Sequence, residues 1–153
     1  MKKILMVVFA LVLAIGGVIL FNKEQYVEID EWSSSIERSK IEWAELSKGY
    51  GEESIRYSIP KEEYDSLVNL LKGVTEECSY RGENEDGERN DYALAFYYED
   101  KLWLFQCQTD NSIQLTFEDR QTSKYYGCAE APLYIDYPEL WAYITDTINI
   151  KGK

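Results

Sequence analysis

The chain of 153 residues contains no histidine. Histidine has the side-chain pKa nearest neutrality and is the usual general base, proton shuttle and metal ligand of proteins. Its absence excludes a Ser-His-Asp triad and a Cys-His nucleophile. Paired carboxylates could serve a glycosidase, but no carboxylate flanked by aromatic residues stands out. We therefore expect the protein not to be an enzyme and to need no cofactor.

Cysteine is scarce, and no pair has the C-x-x-C spacing of a redox motif or a zinc knuckle. The odd count of Cys78, Cys107 and Cys128 predicts either one disulfide with a leftover thiol or three buried thiols. If the strands between residues 76 and 118 form a simple meander, Cys78 and the loop after Phe117 lie towards the same end of the sheet. A single disulfide would then join Cys78 to Cys128.

Basic residues are outnumbered, with 16 Lys and Arg against 28 Asp and Glu, a formal charge of −12. Two of the lysines precede the first apolar run, which leaves 14 basic and 28 acidic residues after it, a charge of −14. A domain this acidic repels nucleic acid and anionic lipid. We therefore expect no nucleic-acid partner, whereas a basic protein or a cation would be compatible with the charge.

The chain opens with "MKKILMVVFALVLAIGGVILFNKEQ", in which the 18 residues 4–21 carry no charge. A hydrocarbon core of roughly 30 Å needs about 20 apolar residues. A signal peptide has a shorter apolar region, about 7–15 residues, followed by a small-x-small cleavage site. Cleavage after the best candidate, Gly16, would leave an exposed apolar tail. The pattern predicts an uncleaved signal anchor over residues 1–22, and the alternative is secretion after cleavage near Gly16.

Charge sets the expected orientation of this anchor. Lys2 and Lys3 precede the apolar run and remain in the cytoplasm by the positive-inside rule. The rest of the chain is then outside the cytoplasmic membrane. We expect a tether over residues 23–35 and one extracytoplasmic domain over residues 36–150, which is an ordinary domain size.

The first part of the domain predicts a hairpin followed by a helix. "SIRYSI" alternates apolar and polar residues, and so does "IEWA" before the glycine-rich turn, which favours a hairpin of Lys40–Ser47 with Ser54–Ile59. "PKEEYDSLVNLLKGV" follows at once. Its apolar residues have helical spacing and form one stripe: Tyr64, Leu67, Val68 and Leu71.

The second part predicts four strands and a closing helix. "TEECSY", "YALAFYYED", "KLWLFQCQT" and "IQLTFE" are typical of strands, and we expect a three- or four-stranded antiparallel meander. "DRQTSKYYGCAEAP" is expected to be a loop, and "LYIDYPELWAYITDTINI" is expected to end in a helix with Pro138 in its first turn. The order ββα-ββββ-α indicates an α+β two-layer sandwich, an antiparallel sheet with two helices on one face.

The charged loop "GENEDGERND" resembles a calcium site only in part. If Gly87 is taken as position 6 of an EF-hand loop, Asn84 and Asp86 match, but Gly82 and Ala93 fail at positions 1 and 12. A looser oxygen cage could use five nearby side chains, Asn84, Asp86, Glu88, Asn90 and Asp91. A solvated loop between two strands is the favoured interpretation, and a weak calcium-binding domain is the alternative.

Aromatic residues are abundant, with 13 Tyr, 4 Trp and 5 Phe. Aromatic faces bind sugars and anchor protein interfaces, although tyrosine is also common on sheet faces that are partly exposed to solvent. If a binding surface exists, we expect it on the sheet face that the helices leave open, at Tyr97, Tyr98, Trp103, Tyr125 and Tyr126. The predicted function is a non-enzymatic module that binds a protein or an envelope component. The alternative is an acidic inhibitor or immunity-type protein.

We expect full-length protein in the membrane fraction, and we expect protease added to intact protoplasts to remove the domain. Mass spectrometry of protein from membranes and medium checks both points. A shorter species in the medium that starts near Gly17 would instead show cleavage and secretion. Complete protection from protease would contradict the predicted orientation.

Overall fold

The computed structural model describes residues 29–49, 51–81, 89–119, 124–126 and 133–152. These residues form an α+β fold in which three helices pack with an antiparallel sheet. The helices are α1 (Ile29–Ser35), α2 (Tyr64–Leu71) and α3 (Pro138–Lys151). The strands are β1 (Ile41–Lys48), β2 (Ile55–Ser58), β3 (Ser79–Arg81), β4 (Arg89–Tyr98), β5 (Lys101–Gln108), β6 (Ile113–Asp119), β7 (Lys124–Tyr126) and β8 (Leu133–Ile135).

The strands form one sheet in the order β2-β1-β4-β5-β6-β8-β3, with β7 also paired to β6. The predicted hairpin is confirmed as β1 and β2, and β4, β5 and β6 form the predicted meander. Glu99 and Asp100 join β4 to β5 with φ of 50° and 61°. Two consecutive residues with positive φ are typical of the tight turn whose twist matches that of paired strands.

The meander does not begin at β3, so this part of the prediction is wrong. β3 pairs with β8, with Ser79 opposite Ile135, and lies at the far edge of the sheet. The segment "LYI" was expected to lead into the last helix, but it forms a strand in which Ile135 is completely buried opposite Ile113 of β6. Because β8 occupies the free edge of β6, β3 joins the sheet through β8. The predicted strand count was too low because β7 and β8 are each only three residues long.

The core lies between the helices and one face of the sheet. The predicted stripe of α2 is confirmed, since all four of its apolar residues are buried. From α3, Leu140, Ile144 and Ile148 enter the same core. Three central strands contribute alternate residues: Leu94, Phe96, Tyr98, Trp103, Phe105, Cys107, Ile113, Leu115 and Phe117.

A third helix, α1, occupies residues 29–35, which the sequence had assigned to the tether. Ile29 and Trp32 are buried, and the ring centroid of Trp32 lies 4.5 Å from that of Trp103 in a stacked arrangement. The Asp30 carboxylate accepts a hydrogen bond from the backbone N–H of Glu76 at 2.7 Å. The packed domain therefore includes Ile29, seven residues before the predicted boundary at residue 36. The apolar residues Ile29, Trp32 and Ile36 have helical spacing, but the serines between them obscure it.

We expect Trp32→Ala to lower the free energy of unfolding by about 3–5 kcal/mol, because it empties a site in the core. Trp43→Ala is the matched control, since Trp43 is 37% exposed, and we expect it to cost less than about 1 kcal/mol. Urea denaturation followed by circular dichroism measures both. Equal losses in the two variants would mean that α1 does not pack as described.

Candidate functional site

The two faces of the sheet differ in what covers them. The helices pack on one face, whereas no described helix packs on the other, which we call the open face. Its side chains are half-exposed on the central strands β4 and β5, among them Ala95, Tyr97, Leu102 and Leu104. A sheet face with accessible apolar and aromatic side chains is the first place to look for a binding surface.

A β-bulge in β1 directs Trp43 to the open face. The register against β4 shifts between Ile41 and Trp43, so that Ile41 lies opposite Tyr98 and Trp43 opposite Tyr97. As a result Ile41 is 5% exposed in the core, and Trp43 is 37% exposed although it follows only two residues later. Without an extra residue, positions two apart share a face. Bulges commonly redirect a side chain at a functional position in this way.

Trp43 and Tyr97 form a contact pair on the open face. Their ring centroids are 5.0 Å apart and their planes meet at 73°, which is an edge-to-face arrangement. Leu102 lies opposite Tyr97 on the next strand, and Leu104 lies opposite Ala95. We call these five residues, Trp43, Ala95, Tyr97, Leu102 and Leu104, the open-face patch. The small side chain of Ala95 leaves the patch shallow beside the two rings.

The residues of the predicted interaction surface do not share one face of the sheet. Tyr97 lies on the open face, but Tyr98 and Trp103 are each 2% exposed in the core on the opposite face. The Tyr98 hydroxyl donates a hydrogen bond to the Ser35 carbonyl at 3.0 Å. Because neighbours along a strand point to opposite faces, Tyr97 and Tyr98 cannot share one surface.

Two residues of the predicted surface belong to β7, and one important residue was missed. The backbones of Tyr125 and Tyr126 pair with Glu118 and Phe117, but their side chains lie outside the described residues. Trp43 was expected on the same face as Ile41. The spacing of Ile41, Ala44 and Leu46, three residues and then two, is the sequence signal that could have indicated the bulge.

A second cluster, near the end of α3, combines a carboxylate, a lysine and two tyrosines. The Lys151 ammonium lies 2.8 and 2.9 Å from the two Glu63 oxygens, and the Tyr57 hydroxyl donates to Glu63 at 2.9 Å. The hydrogen bond from Lys151 lowers the pKa of Glu63. Burial raises the pKa of Tyr143 to about 12. A general base at neutral pH needs a carboxylate whose pKa is raised, so this cluster fixes α3 to the domain and is not suited to proton transfer.

The described cysteines are free thiols. Cys107 is fully buried in β5, and burial raises the pKa of its thiol to about 12, so it is unreactive. Cys78 is half-buried, and its sulfur lies 3.1 Å from both the backbone nitrogen and the carbonyl oxygen of Thr75. Cys128 lies outside the described residues. The Cys78–Cys128 disulfide therefore stays a prediction, although it was based on a meander that includes β3, and β3 pairs with β8 instead.

We expect Glu63→Gln to lower the melting temperature at neutral pH, because the charged form of Glu63 is bonded to Lys151 in the folded state. A folded-state pKa below the unfolded one stabilises the protein above the unfolded pKa, and this stabilisation is lost as the pH falls through the folded pKa. The difference from the wild type should therefore disappear in acid. Glu62→Gln, which removes the same charge from an exposed neighbouring residue, controls for net charge. A difference that persists in acid would contradict this linkage.

Neither metal-ligand chemistry nor likeness to known proteins identifies a function. In the described ranges, no group of three or more Cys, Asp or Glu side chains could hold a metal ion. Three members of the possible calcium cage, Asn84, Asp86 and Glu88, lie outside these ranges. Across the described helices, none is long and apolar enough to span a membrane.

No family model matches the chain, and searches of curated proteins and of solved structures also give no match.

Proposed function

We propose that this chain is a non-enzymatic binding module that is tethered to the outer side of the cytoplasmic membrane and holds a protein of the membrane or wall. One observation carries the proposal: Trp43 is 37% exposed and lies edge-to-face with the half-buried Tyr97, on a sheet face where no described helix packs. Trp and Tyr are the residues most enriched at the energetic centres of protein interfaces.

The composition of the open-face patch favours a protein partner. Trp43 and Tyr97 lie on neighbouring strands, and Ala95, Leu102 and Leu104 lie beside them. A small ligand is normally enclosed by a concave pocket that buries most of its surface. A flat apolar centre with a polar rim is typical of protein interfaces, and the exposed Glu42 and Arg56 lie on the strands at this edge.

The tether is inferred from the sequence. The apolar residues 4–21, with two lysines before them, have the length and charge pattern of an anchor whose C-terminal side is outside. An anchored module would meet partners in the membrane or wall, where the local concentration of both proteins is high. The alternative, secretion after cleavage near Gly16, would leave the open-face patch available to soluble partners.

The charge of the domain favours a second candidate, an acidic blocker of a basic protein. The turn between β1 and β2 presents Glu52 and Glu53, both exposed, and the charge after the apolar run is −14. An acidic surface of this kind could cover a basic active site, as inhibitor and immunity-type proteins do.

We expect Trp43→Ala to weaken retention of the partner from solubilised envelope by tenfold or more, since an aromatic hot spot contributes about 2 kcal/mol or more to binding. The measurement is a pull-down with purified full-length protein, with the captured partner measured by mass spectrometry. Ile150→Ala is the matched control, because Ile150 is an 81% exposed apolar residue on α3. Equal loss in both variants, or no loss in either, would contradict a role for the open-face patch.

Salt distinguishes the two candidate functions. Exposed charge pairs are screened as ionic strength rises, whereas apolar contacts are not. Retention that survives high salt but is lost in Trp43→Ala supports the open-face patch. Retention that disappears in high salt and is unaffected by Trp43→Ala supports the acidic blocker.

A further inference from the structure

A groove of about 690 Å³ lies on the helical side of the domain, away from the open face. It runs between α2 and the segment that links α1 to β1, residues 36–41. The apolar side chains Ile36, Ile41, Tyr64 and Val68 line it from the core side and are all buried. Its volume is in the range of sites that bind small organic groups.

Cations line the exposed side of this groove, in a domain that is otherwise acidic. Arg38, Lys61 and Lys72 are three of its lining residues, against the two acids Glu37 and Asp65. The groove therefore has a small positive charge, whereas the chain as a whole has a charge of −12.

The lysines of the groove differ from the other cations that the structure describes. Six cationic side chains have a partner: Arg38, Lys40, Arg56 and Lys151 pair with acids, Lys48 with Asn149 and the Tyr92 ring, and Lys101 with the Phe117 ring. Lys61 and Lys72 alone among the described cationic side chains have no such partner, and both line the groove. Two unneutralised charges at one apolar groove favour an anion as its ligand.

Arg38 gives the groove a fixed geometry. One nitrogen of its guanidinium donates to Asp65 at 2.7 Å, and the other donates to the backbone carbonyl of Lys61 at 3.0 Å. These bonds hold the link after α1 against the start of α2. Lys61 precedes α2 and Lys72 follows it, and both line the groove.

We propose that the groove binds phosphate headgroups of anionic phospholipids in the membrane to which the chain is tethered. Lys61 and Lys72 are separated by the length of α2, so each would contact the phosphate oxygens of its own headgroup. This inference rests on the tether of the proposed function.

The length of the chain before α1 favours the membrane as the source of the anion. Only residues 22–28 separate the apolar run from Ile29, and seven residues reach at most about 25 Å. α1 then leads directly to Ile36 in the groove. The acidic charge elsewhere does not prevent the contact, because screening limits electrostatic repulsion to roughly 8 Å at physiological ionic strength. The open face, on the other side of the sheet, stays available for the protein partner.

The test is lysine footprinting of the full-length chain in lipid nanodiscs, with one set of pure phosphatidylcholine and one of an equimolar mixture with phosphatidylglycerol. An amine-acylating reagent is added, and the labelling rate of each lysine is measured by mass spectrometry. We expect Lys61 and Lys72 to react about fivefold more slowly in the anionic discs, as a lysine held at an anionic surface should. Lys48 is the internal control, because it lies at the opposite end of β1 from Ile41, about 23 Å away, and should be unchanged.

Two further arms separate the remaining outcomes. Glycerol 1-phosphate added to the phosphatidylcholine discs tests for a soluble anion, and protection as strong as in the anionic discs would overturn the membrane proposal. Hydrogen exchange of residues 36–41 should slow in anionic discs for the wild type and for Lys48→Gln, but not for the double variant Lys61→Gln/Lys72→Gln. Equal labelling in both discs, with the chain still inserted, would refute lipid binding by the groove but not the membrane tether. A chain that does not stay in the disc would refute both the tether and lipid binding by the groove.

Discussion

The contact between Trp32 and Trp103 connects the first helix to the centre of the sheet, and the position of the groove depends on it. Trp103 lies on β5 and stacks on Trp32 at 4.5 Å and on Phe117 at 4.8 Å. The Tyr98 hydroxyl holds the Ser35 carbonyl at the end of α1. These contacts fix the point where the chain leaves α1, and so they position Ile36 and Arg38 at the groove. A substitution of Trp32 in the core would therefore also change the position of the groove residues Ile36 and Arg38.

The bulge in β1 has a similar effect on the other side of the sheet. It costs β1 one regular pair with β4, and it separates Ile41 in the core from Trp43 on the open face. One inserted residue thus supplies both a buried contact for the core and an exposed ring beside Tyr97. The domain presents two chemically different surfaces as a result, an aromatic one on the open face and a cationic one among the helices.

Much of the fold could be predicted from local patterns, and the errors have physical causes. The β1–β2 hairpin, α2 and the β4–β6 meander follow from strong periodicity and short connections. The pairing of β3 with β8 could not be predicted, because three-residue strands carry too few residues to show alternation, and their pairing is decided by which sheet edge is free. α1 was missed because serines interrupt its apolar spacing. For the predicted surface, Tyr97 lies on the open face as expected, but the face of β5 that carries Trp103 could not be chosen, since β5 is apolar on both faces.

The edges of the sheet are short. β2, at one edge, has four residues and includes the charged and exposed Arg56, and β3, at the other edge, has three residues. Edge strands are where sheets of neighbouring molecules join, because their unpaired backbone groups offer a template for another strand. With the proposed tether, copies of this domain would diffuse in two dimensions and collide often in similar orientations. Short and charged edge strands offer few backbone groups for pairing, so such collisions would not readily lead to polymerisation.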